Sequence, residues 1–231
     1  MKKNMLFELM LCSSSLFADV YATFEAKAVK EASLNLTSSG TVEQIHVDVG
    51  SHVKKGQTLL SLKDGEERAA YMSAKSDYEF LSSQYARYQK SAEVFDKNTL
   101  DKVKAETDRA KNQTAMYGER LSKMRLTAPF SGVIAEKNIE IGDTVGLGAK
   151  PLFRLISNET KLVIQFDSKF ADNVKVGDEF CYAFDGKPSG KCTKIKKIYP
   201  AVNQNNKKLT AEAEGNGVKA GIFGDGQIKT K

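Results

Sequence analysis

Two separate stretches of this sequence repeat the same pattern of glycine and apolar residues. The first is SSGTVEQIHVDVGSHVKKGQTLLSL at residues 38–62, and the second is PFSGVIAEKNIEIGDTVGLGAKPLFRL at residues 129–155. Apolar and polar residues alternate between the glycines, which predicts short strands joined by turns in which glycine adopts positive φ. One copy would leave its apolar face uncovered, whereas two facing copies bury both faces. We therefore predict a β-sandwich built from residues 37–65 and 127–155, with matched turn glycines at Gly40, Gly50 and Gly56 and at Gly132, Gly142 and Gly148.

The segment between the two copies, residues 66–126, has helical periodicity. Apolar or small residues recur at alternating spacings of three and four, which is typical of a coiled-coil seam. The seam is interrupted at residues 96–98, so we predict an antiparallel helical hairpin. Asn98 or Thr99 could cap the second helix. The predicted seam positions are Tyr71, Ala74, Tyr78, Leu81, Tyr85, Tyr88, Ala92 and Phe95, then Leu100, Val103, Thr107, Ala110, Thr114, Tyr117, Leu121 and Met124.

The remainder of the chain is strand-like. Residues 156–231 contain several alternating segments separated by turn residues, and residues 23–36 alternate in the same way. Several short strands at such spacing indicate a small antiparallel β-barrel, to which both segments would contribute. The predicted fold class is α+β and mainly β.

The first 22 residues have the layout of a secretory signal peptide: two lysines, an apolar stretch interrupted by Glu8, then small residues. Cleavage is expected after Ala18 or Ala22. Leu11 before Cys12 is bulkier than a lipoprotein signal requires. We therefore expect a periplasmic protein associated with the inner membrane, with the N-terminal segment either cleaved or kept as an anchor.

Export to an oxidising compartment changes the expected state of the cysteines. Cys181 and Cys192 flank the turn-forming sequence DGKPSG, and a hairpin about Gly186 and Lys187 would place them opposite each other. We predict a disulfide, and the alternative is two buried free thiols.

Composition and motifs provide little support for catalysis or nucleic-acid binding. The formal charge of +6 comes from lysines spread along the whole sequence, so no nucleic-acid partner is predicted. The usual hydrolase, metalloprotease and phosphate-loop motifs are missing. His46 and His52 could be imagined as metal ligands, but their alternating context favours exposed surface positions. We predict no enzyme activity, no cofactor and no metal.

The order of these segments resembles the periplasmic adaptors, or membrane fusion proteins, of tripartite efflux pumps of the resistance-nodulation-division type. The resemblance is carried by GTVEQIHVDVGSHVKKGQTLLSL, RLTAPFSGVIAEKNIEIGDTVGLGAKPLFRL, VKVGDEF, KIYPAVN and VKAGIFGDGQI. It implies a lipoyl-like (biotinyl) sandwich interrupted by the hairpin, followed by the barrel. It also implies a ring of copies, by resemblance a hexamer, linking an inner-membrane efflux transporter to an outer-membrane channel for export of drugs or other toxic compounds.

The resemblance also suggests which residues contact the channel. Better-known members use an arginine, a leucine and a serine at the hairpin tip. Aligning RYQKSAEVFDKN with that pattern places Arg87 at the arginine, Ser91 at the leucine and Asn98 at the serine, with Thr99 adjacent. Only the arginine is retained.

A covalent cofactor carrier is the alternative function, because biotinyl and lipoyl domains share the duplicated sandwich. Carriers present a lysine at the turn between their halves. Here the coiled coil replaces that turn, and Lys63 lies where the first helix begins.

Overall fold

The computed structural model describes residues 19–90, 96–146, 150–184, 187–215 and 217–230. The chain forms fourteen strands and two long helices in these ranges, with one 3₁₀ turn at Ser168–Phe170. The first five strands are β1 Asp19–Ala28, β2 Glu31–Leu34, β3 Gly40–Ile45, β4 His52–Val53 and β5 Thr58–Leu62. The helices are α1 Gly65–Lys90 and α2 Lys97–Ser122. The remaining strands are β6 Arg125–Thr127, β7 Gly132–Lys137, β8 Thr144–Val145, β9 Phe153–Ile156, β10 Thr160–Asp167, β11 Glu179–Phe184, β12 Lys187–Ile198, β13 Lys208–Glu214 and β14 Phe223–Lys229.

The chain divides into two compact units. Residues Lys30–Asn158 form one, and the residues up to Val29 together with those from Glu159 onward form the other. The mainly β fold class with a helical hairpin is confirmed. Strand β2 belongs to the first unit because it pairs with β9, although the sequence pattern grouped residues 23–36 with the barrel.

The sandwich contains two four-stranded sheets, ordered β2-β9-β7-β4 and β6-β5-β3-β8. Each sheet takes its last strand from the other copy of the repeat, since β4 pairs with β7 and β8 pairs with β3. Side chains from both sheets share one hydrophobic core. The buried matched pairs are Val42 and Ile134, Val47 and Ile139, Val53 and Val145, Leu59 and Leu152, Leu60 and Phe153, and Leu62 and Leu155.

Equivalent backbone hydrogen bonds show that the two copies adopt the same local structure. The Gly50 N–H donates to the Ile134 carbonyl at 2.8 Å, and the Gly142 N–H donates to the Val42 carbonyl at 3.0 Å. Both glycines have positive φ, 84° and 94°, a conformation that side chains with a Cβ rarely adopt. Gly56 shares it, with φ of 82°.

Gly40 and Gly132 are also matched between the two copies, but positive φ is not the reason for glycine at these positions. They begin strands β3 and β7 and are outside the set of positive-φ glycines among the described residues, so the prediction that they are turn glycines is wrong. A Cβ at Gly132 would lie 2.1 Å from the Ile156 carbonyl oxygen, and one at Gly40 would lie 3.1 Å from Leu62 Cδ1. Close strand approach, and not a turn, requires glycine at position 132, whereas the atom nearest to a Cβ at Gly40 is the end of a side chain. Gly148 lies outside the described residues.

The two helices pack antiparallel in a fixed register. The Thr107 hydroxyl lies 3.3 Å from the Leu81 carbonyl oxygen, and the Thr114 hydroxyl lies 2.9 Å from the Ala74 carbonyl oxygen. Every predicted seam position among the described residues is buried or half-buried; Ala92 and Phe95 fall outside those residues. Each helix has 26 residues and is about 39 Å long.

A buried carboxylate joins the hairpin to the sandwich. Asp64, only 7% exposed, immediately precedes α1. Its carboxylate accepts hydrogen bonds from Arg68 Nη2 at 2.7 Å and Arg68 Nε at 3.2 Å, and Arg125 Nη2 on β6 lies 3.7 Å away. The Leu62 N–H also donates to the Met124 carbonyl at 2.9 Å. The start of α1 and the end of α2 are therefore both held at the sandwich.

The second unit is a closed six-stranded barrel in the order β1-β10-β13-β12-β11-β14. All pairings are antiparallel, and alternate side chains of each strand fill one core. Phe24 lies at one side of that core, with edge-to-face contacts to Phe180, Tyr182 and Phe184 at centroid distances of 5.6–5.9 Å.

The predicted signal peptide overlaps the barrel. Its residues 1–18 lie outside the described residues, but Asp19 begins β1, and Val20 and Ala22 are buried in the barrel core. Cleavage after Ala18 preserves this strand, whereas cleavage after Ala22 would remove its first residues. No helix within the described ranges carries an apolar run long enough to cross a membrane.

Candidate docking site at the hairpin tip

Arg87 lies in the last turn of α1 and is exposed. Its guanidinium makes no hydrogen bond or ion pair with any other described residue. The guanidinium carries five N–H donors in a fork that matches carboxylates and carbonyl oxygens. Lys90 in the same turn is also exposed, and both cations suit the negative end of the helix dipole.

Thr99 donates hydrogen bonds to the residue that caps the start of α2. The residue that caps α2 is Asp96, whose Oδ1 accepts the Thr99 backbone N–H at 3.0 Å and whose Oδ2 accepts the Thr99 hydroxyl at 2.7 Å. The prediction that Asn98 or Thr99 caps this helix is therefore wrong. The signal for the correct cap was present, since aspartate is among the residues preferred at the N-cap, where its carboxylate accepts a backbone N–H two or three residues later.

The Asp96 carboxylate is stabilised by the same contacts. The Thr99 hydroxyl, and next the Thr99 backbone N–H, lower the pKa of Asp96 from its ordinary value of 3.8. The carboxylate is therefore ionised at neutral pH and favours the positive N-terminal end of α2.

The antiparallel register brings Arg87 and Asn98 to the same end of the hairpin. Asn98 is exposed in the first turn of α2, and Lys97 beside it is exposed as well. Ser91 lies outside the described residues. The described part of this end thus presents three exposed cations, Arg87, Lys90 and Lys97, together with the Asn98 amide. It can donate hydrogen bonds to carbonyl or carboxylate oxygens of a partner.

The sides of the hairpin carry exposed apolar groups. Phe80 is 64% exposed and Met72 is 55% exposed on α1, and Met116 is 44% exposed on α2. Phe80 and Leu81 line a shallow groove of about 410 Å³ between the helices.

The other residues singled out in the sequence occupy different places. His46 and His52 are not buried, and the described residues contain no cluster of three metal-ligating side chains. Lys63 is exposed just before α1, and its backbone N–H donates to the Thr41 carbonyl at 2.9 Å.

The two barrel cysteines form a bridge. Cys181 on β11 lies directly opposite Cys192 on β12, and their sulfur atoms are bonded. The pairing shifts between Tyr182 and Ala183, and β12 begins at Lys187. The predicted turn residue Gly186 lies outside the described residues.

The CzcB-like barrel-sandwich hybrid domain matches residues 30–155, which is more than half of the chain. This chain belongs to the CzcB-like family of membrane fusion proteins. Its family match spans the sandwich and the hairpin together.

Individual relatives support the same family. The cobalt-zinc-cadmium resistance protein CzcB of Cupriavidus metallidurans is 26% identical over 160 residues, covering 61% of this chain and 30% of that protein. The macrolide export protein MacA of Yersinia pestis is 22% identical over 223 residues, covering 81% of this chain and 60% of that protein. An uncharacterised protein of Haemophilus influenzae is 23% identical, covering 83% and 52%. The chain thus spans less than two thirds of the length of these relatives.

Solved structures show the same fold. A chimera of MacA carrying the α-hairpin of Pseudomonas aeruginosa MexA matches with a TM-score of 0.80 at 19% identity, covering 94% of this chain and 82% of the chimera. The membrane fusion protein Spr0693 of Streptococcus pneumoniae R6 matches with a TM-score of 0.73 at 21% identity, covering 92% and 99%.

Proposed function

We propose that this chain is the periplasmic adaptor of a tripartite efflux pump. Copies of the chain would associate in a ring, with six the number expected from the family, and link an inner-membrane transporter to an outer-membrane channel. The observation that carries this proposal is the exposed Arg87, unpaired among the described residues, at the far end of a hairpin whose base is fixed to a CzcB-like sandwich.

The geometry of the hairpin supports a bridging role. Two helices of about 39 Å place the cationic end far from the Asp64 junction, where both helices are anchored. Arg87, Lys90 and the Asn98 amide are all donors, so a suitable partner surface would offer carbonyl or carboxylate oxygens, such as those at the C-terminal ends of channel helices.

Exposed apolar side chains support association between copies. Phe80 and Met72 face solvent in a single chain, and the seam beneath them contains small or hydroxylated residues such as Ala74, Ala110 and Thr107. Neighbouring hairpins would cover Phe80 and Met72. Individually weak tip contacts would then be strengthened by their repetition around the ring.

The proposed role is assembly and not catalysis. The transporter would select the exported compound, and the relatives' names cover both metal cations and macrolides. The carrier alternative requires an acylated lysine at a tight turn, whereas here α1 begins two residues after Lys63.

The test is capture of the outer-membrane channel by the tagged full chain. Arg87→Glu should reduce capture by about tenfold or more, because a small loss at each tip is multiplied by its repetition around the ring. Lys111→Glu is the matched control, because it makes the same charge change at an exposed position in the middle of α2. Equal capture by both variants, with unchanged melting temperatures, would show that the tip does not bind the channel.

A further inference from the structure

A groove crosses the outer wall of the barrel at the disulfide. Strand register aligns four residues across it: Tyr21 on β1 lies opposite Gln227 on β14, Gln227 lies opposite Cys181 on β11, and Cys181 lies opposite Cys192 on β12. Their sequence neighbours, such as Phe180 and Ile228, are buried in the barrel core, so this row faces outward. The groove has a volume of about 490 Å³, within the range of ligand sites.

Small residues create the groove. Its floor includes Ala183, Gly190 and Gly226 beside the bridge, and Tyr21, 62% exposed, forms one wall. A Cβ at Gly226 would lie 2.4 Å from the Cys181 carbonyl oxygen. The backbone packing at this position therefore excludes any larger residue. On the outer face of the barrel, Cys192 is exposed and Cys181 is half-buried.

The bridge is accessible, and its groove is lined by charged side chains of both signs, since Asp225 lies there with two lysines. Cys181 is half-buried, and Lys191 beside Cys192 lines the same groove together with Lys229. Exposed disulfides are in general the ones that exchange with thiols, whereas buried ones are structural.

We propose that this groove is a docking site for a partner protein that carries a vicinal dithiol and exchanges electrons with the Cys181–Cys192 bridge. The segment around the partner's dithiol would lie against Tyr21 and over Ala183. This inference is independent of the adaptor function.

The exchange is balanced in atoms and electrons. One partner thiol, as its thiolate, attacks the Sγ of Cys192; the new sulfur–sulfur bond forms as the Cys181–Cys192 bond breaks, and Cys181 leaves as a thiolate that takes up a proton. The second partner thiolate attacks the partner's own sulfur in the mixed disulfide and releases Cys192, which is protonated in turn. The bridge gains two electrons and two protons, and the partner becomes a disulfide.

The barrel can survive this reaction. Strands β11 and β12 also pair at Glu179 with Lys194 and at Phe180 with Thr193, and β11 pairs with β14 along its other edge. Reduction therefore removes a covalent link but leaves the strand pairing that holds the two cysteines opposite each other. The site can be reoxidised without refolding.

The probe for the test is thioredoxin, a small dithiol protein, with its resolving cysteine replaced by serine. Mixed with the oxidised full chain, it should form a mixed disulfide, which peptide mass spectrometry should map to Cys192. Reduced unmodified thioredoxin should also reduce the bridge faster than glutathione at equal thiol concentration. Failure to trap the complex, attachment at Cys181, or reaction with small thiols alone would overturn the proposal.

A second measurement tests the groove itself. Ala183→Leu fills the floor and Tyr21→Ala removes the wall, and each should slow thioredoxin by about tenfold, as expected for loss of one well-packed contact. Reduction by a small phosphine should be little changed in both variants. Thr210→Leu, on the outer face of β13, is the control and should behave as wild type. Tyr21 is exposed, so its variant should fold even if Ala183→Leu does not. Thioredoxin rates unaffected by Tyr21→Ala would show that the groove does not bind the partner.

Discussion

The Thr114 hydroxyl lies 2.9 Å from the carbonyl oxygen of Ala74 on the facing helix. It lies equally close to the carbonyl of Ala110 on its own helix, so its single proton is shared between the two. Thr107 repeats this arrangement two turns away, with Val103 at 2.8 Å and Leu81 at 3.3 Å. The helices can approach this closely because the side chain at Ala74 is small and 6% exposed.

Enlarging Ala74 should force the helices apart. Ala74→Leu adds three carbons to a seam with no space for them, and overpacking of this kind costs about 1–3 kcal/mol. Ala86→Leu, at an exposed position of the same helix, is the control, because the two changes alter helix propensity equally. Thermal unfolding followed by circular dichroism should show a lower melting temperature for the first variant only. An Ala74→Leu hairpin as stable as the wild type would contradict this close packing of the helices.

Glycine at position 132 should be harder to replace than glycine at position 142. In Gly132→Ala the new methyl group would collide with the Ile156 backbone, so strands β7 and β9 must separate. In Gly142→Ala no atom is close, and the cost is the positive φ alone, about 1–2 kcal/mol. Denaturant unfolding should rank Gly132→Ala as the less stable variant.

Gly65→Ala is the matched control for both, because position 65 has neither a positive φ nor a close neighbour among the described residues. It should be neutral or slightly stabilising, since alanine restricts the unfolded chain. If all three variants lost the same stability, the strand-contact explanation for Gly132 would be refuted.

Local patterns in the sequence predicted local structure well. The spacing of three and four identified the buried face of each helix, because the helical repeat alone determines on which face a residue such as Tyr78 or Val103 lies. The barrel strands were likewise predicted from the alternation of apolar and polar residues. The exchange of β4 and β8 between sheets was not predictable, because His52 and Val53 carry no signal that selects a partner strand in the other copy. The same holds for β2, whose partner Phe153 lies more than a hundred residues away.

The cap at Asp96 should make the stability of the hairpin depend on pH in the acid range. The pKa of Asp96 is lowered in the folded protein, so its contribution is fully present above the ordinary value of 3.8 and is lost as pH falls through the lower folded value. Asp96→Asn keeps a side-chain oxygen at the cap without the titration, because asparagine caps about as well. Asp96→Ala removes the cap and should lower the melting temperature at neutral pH.

The measurement is the difference in melting temperature between wild type and Asp96→Asn, followed from about pH 6 to about pH 2. This difference should change only at the acid end of the range. Thr99→Val is a second check, because it removes the hydroxyl that contributes most to the lowered pKa of Asp96. A difference that stays constant down to the lowest pH would contradict the assignment of Asp96 as the cap.

Removing the Cys181–Cys192 bridge should destabilise the barrel without unfolding it. The bridge joins residues 11 apart in sequence, and closing a loop of this size is worth about 2–3 kcal/mol in the chain-entropy account. In a protein of this size that corresponds to a fall in melting temperature of about 5–10 °C. Reduced wild type and the double variant Cys181→Ser, Cys192→Ser should show the same loss, measured by calorimetry. Identical melting of oxidised and reduced wild type would contradict it.

The roles of the candidate docking residues could be predicted only in part from the sequence. Arg87 was assigned to the hairpin tip by aligning RYQKSAEVFDKN with the tip pattern of the resembled family, while the helical repeat was expected to continue to Phe95. The role of Thr99 could not be predicted, because whether a hydroxyl is free for a partner depends on the side chain of Asp96, which turns back to receive it. The groove on the barrel wall depends on the lateral alignment of Tyr21, Gln227 and Cys181, which only the three-dimensional pairing of distant strands reveals.

The exchange of strands between the two sheets has a consequence for how the chain is made. As the polypeptide leaves the ribosome, β3, β4 and β5 have no completed sheet to join until β7, β8 and β9 have also emerged. The helices come between, and their contacts are local enough to form early. Pairing of the helices brings Ser61 close to Arg125, and these two residues are neighbours in the finished sheet. The loop between Ser61 and Arg125 is therefore closed before the sandwich assembles, and the entropy lost on closing it does not oppose that later step.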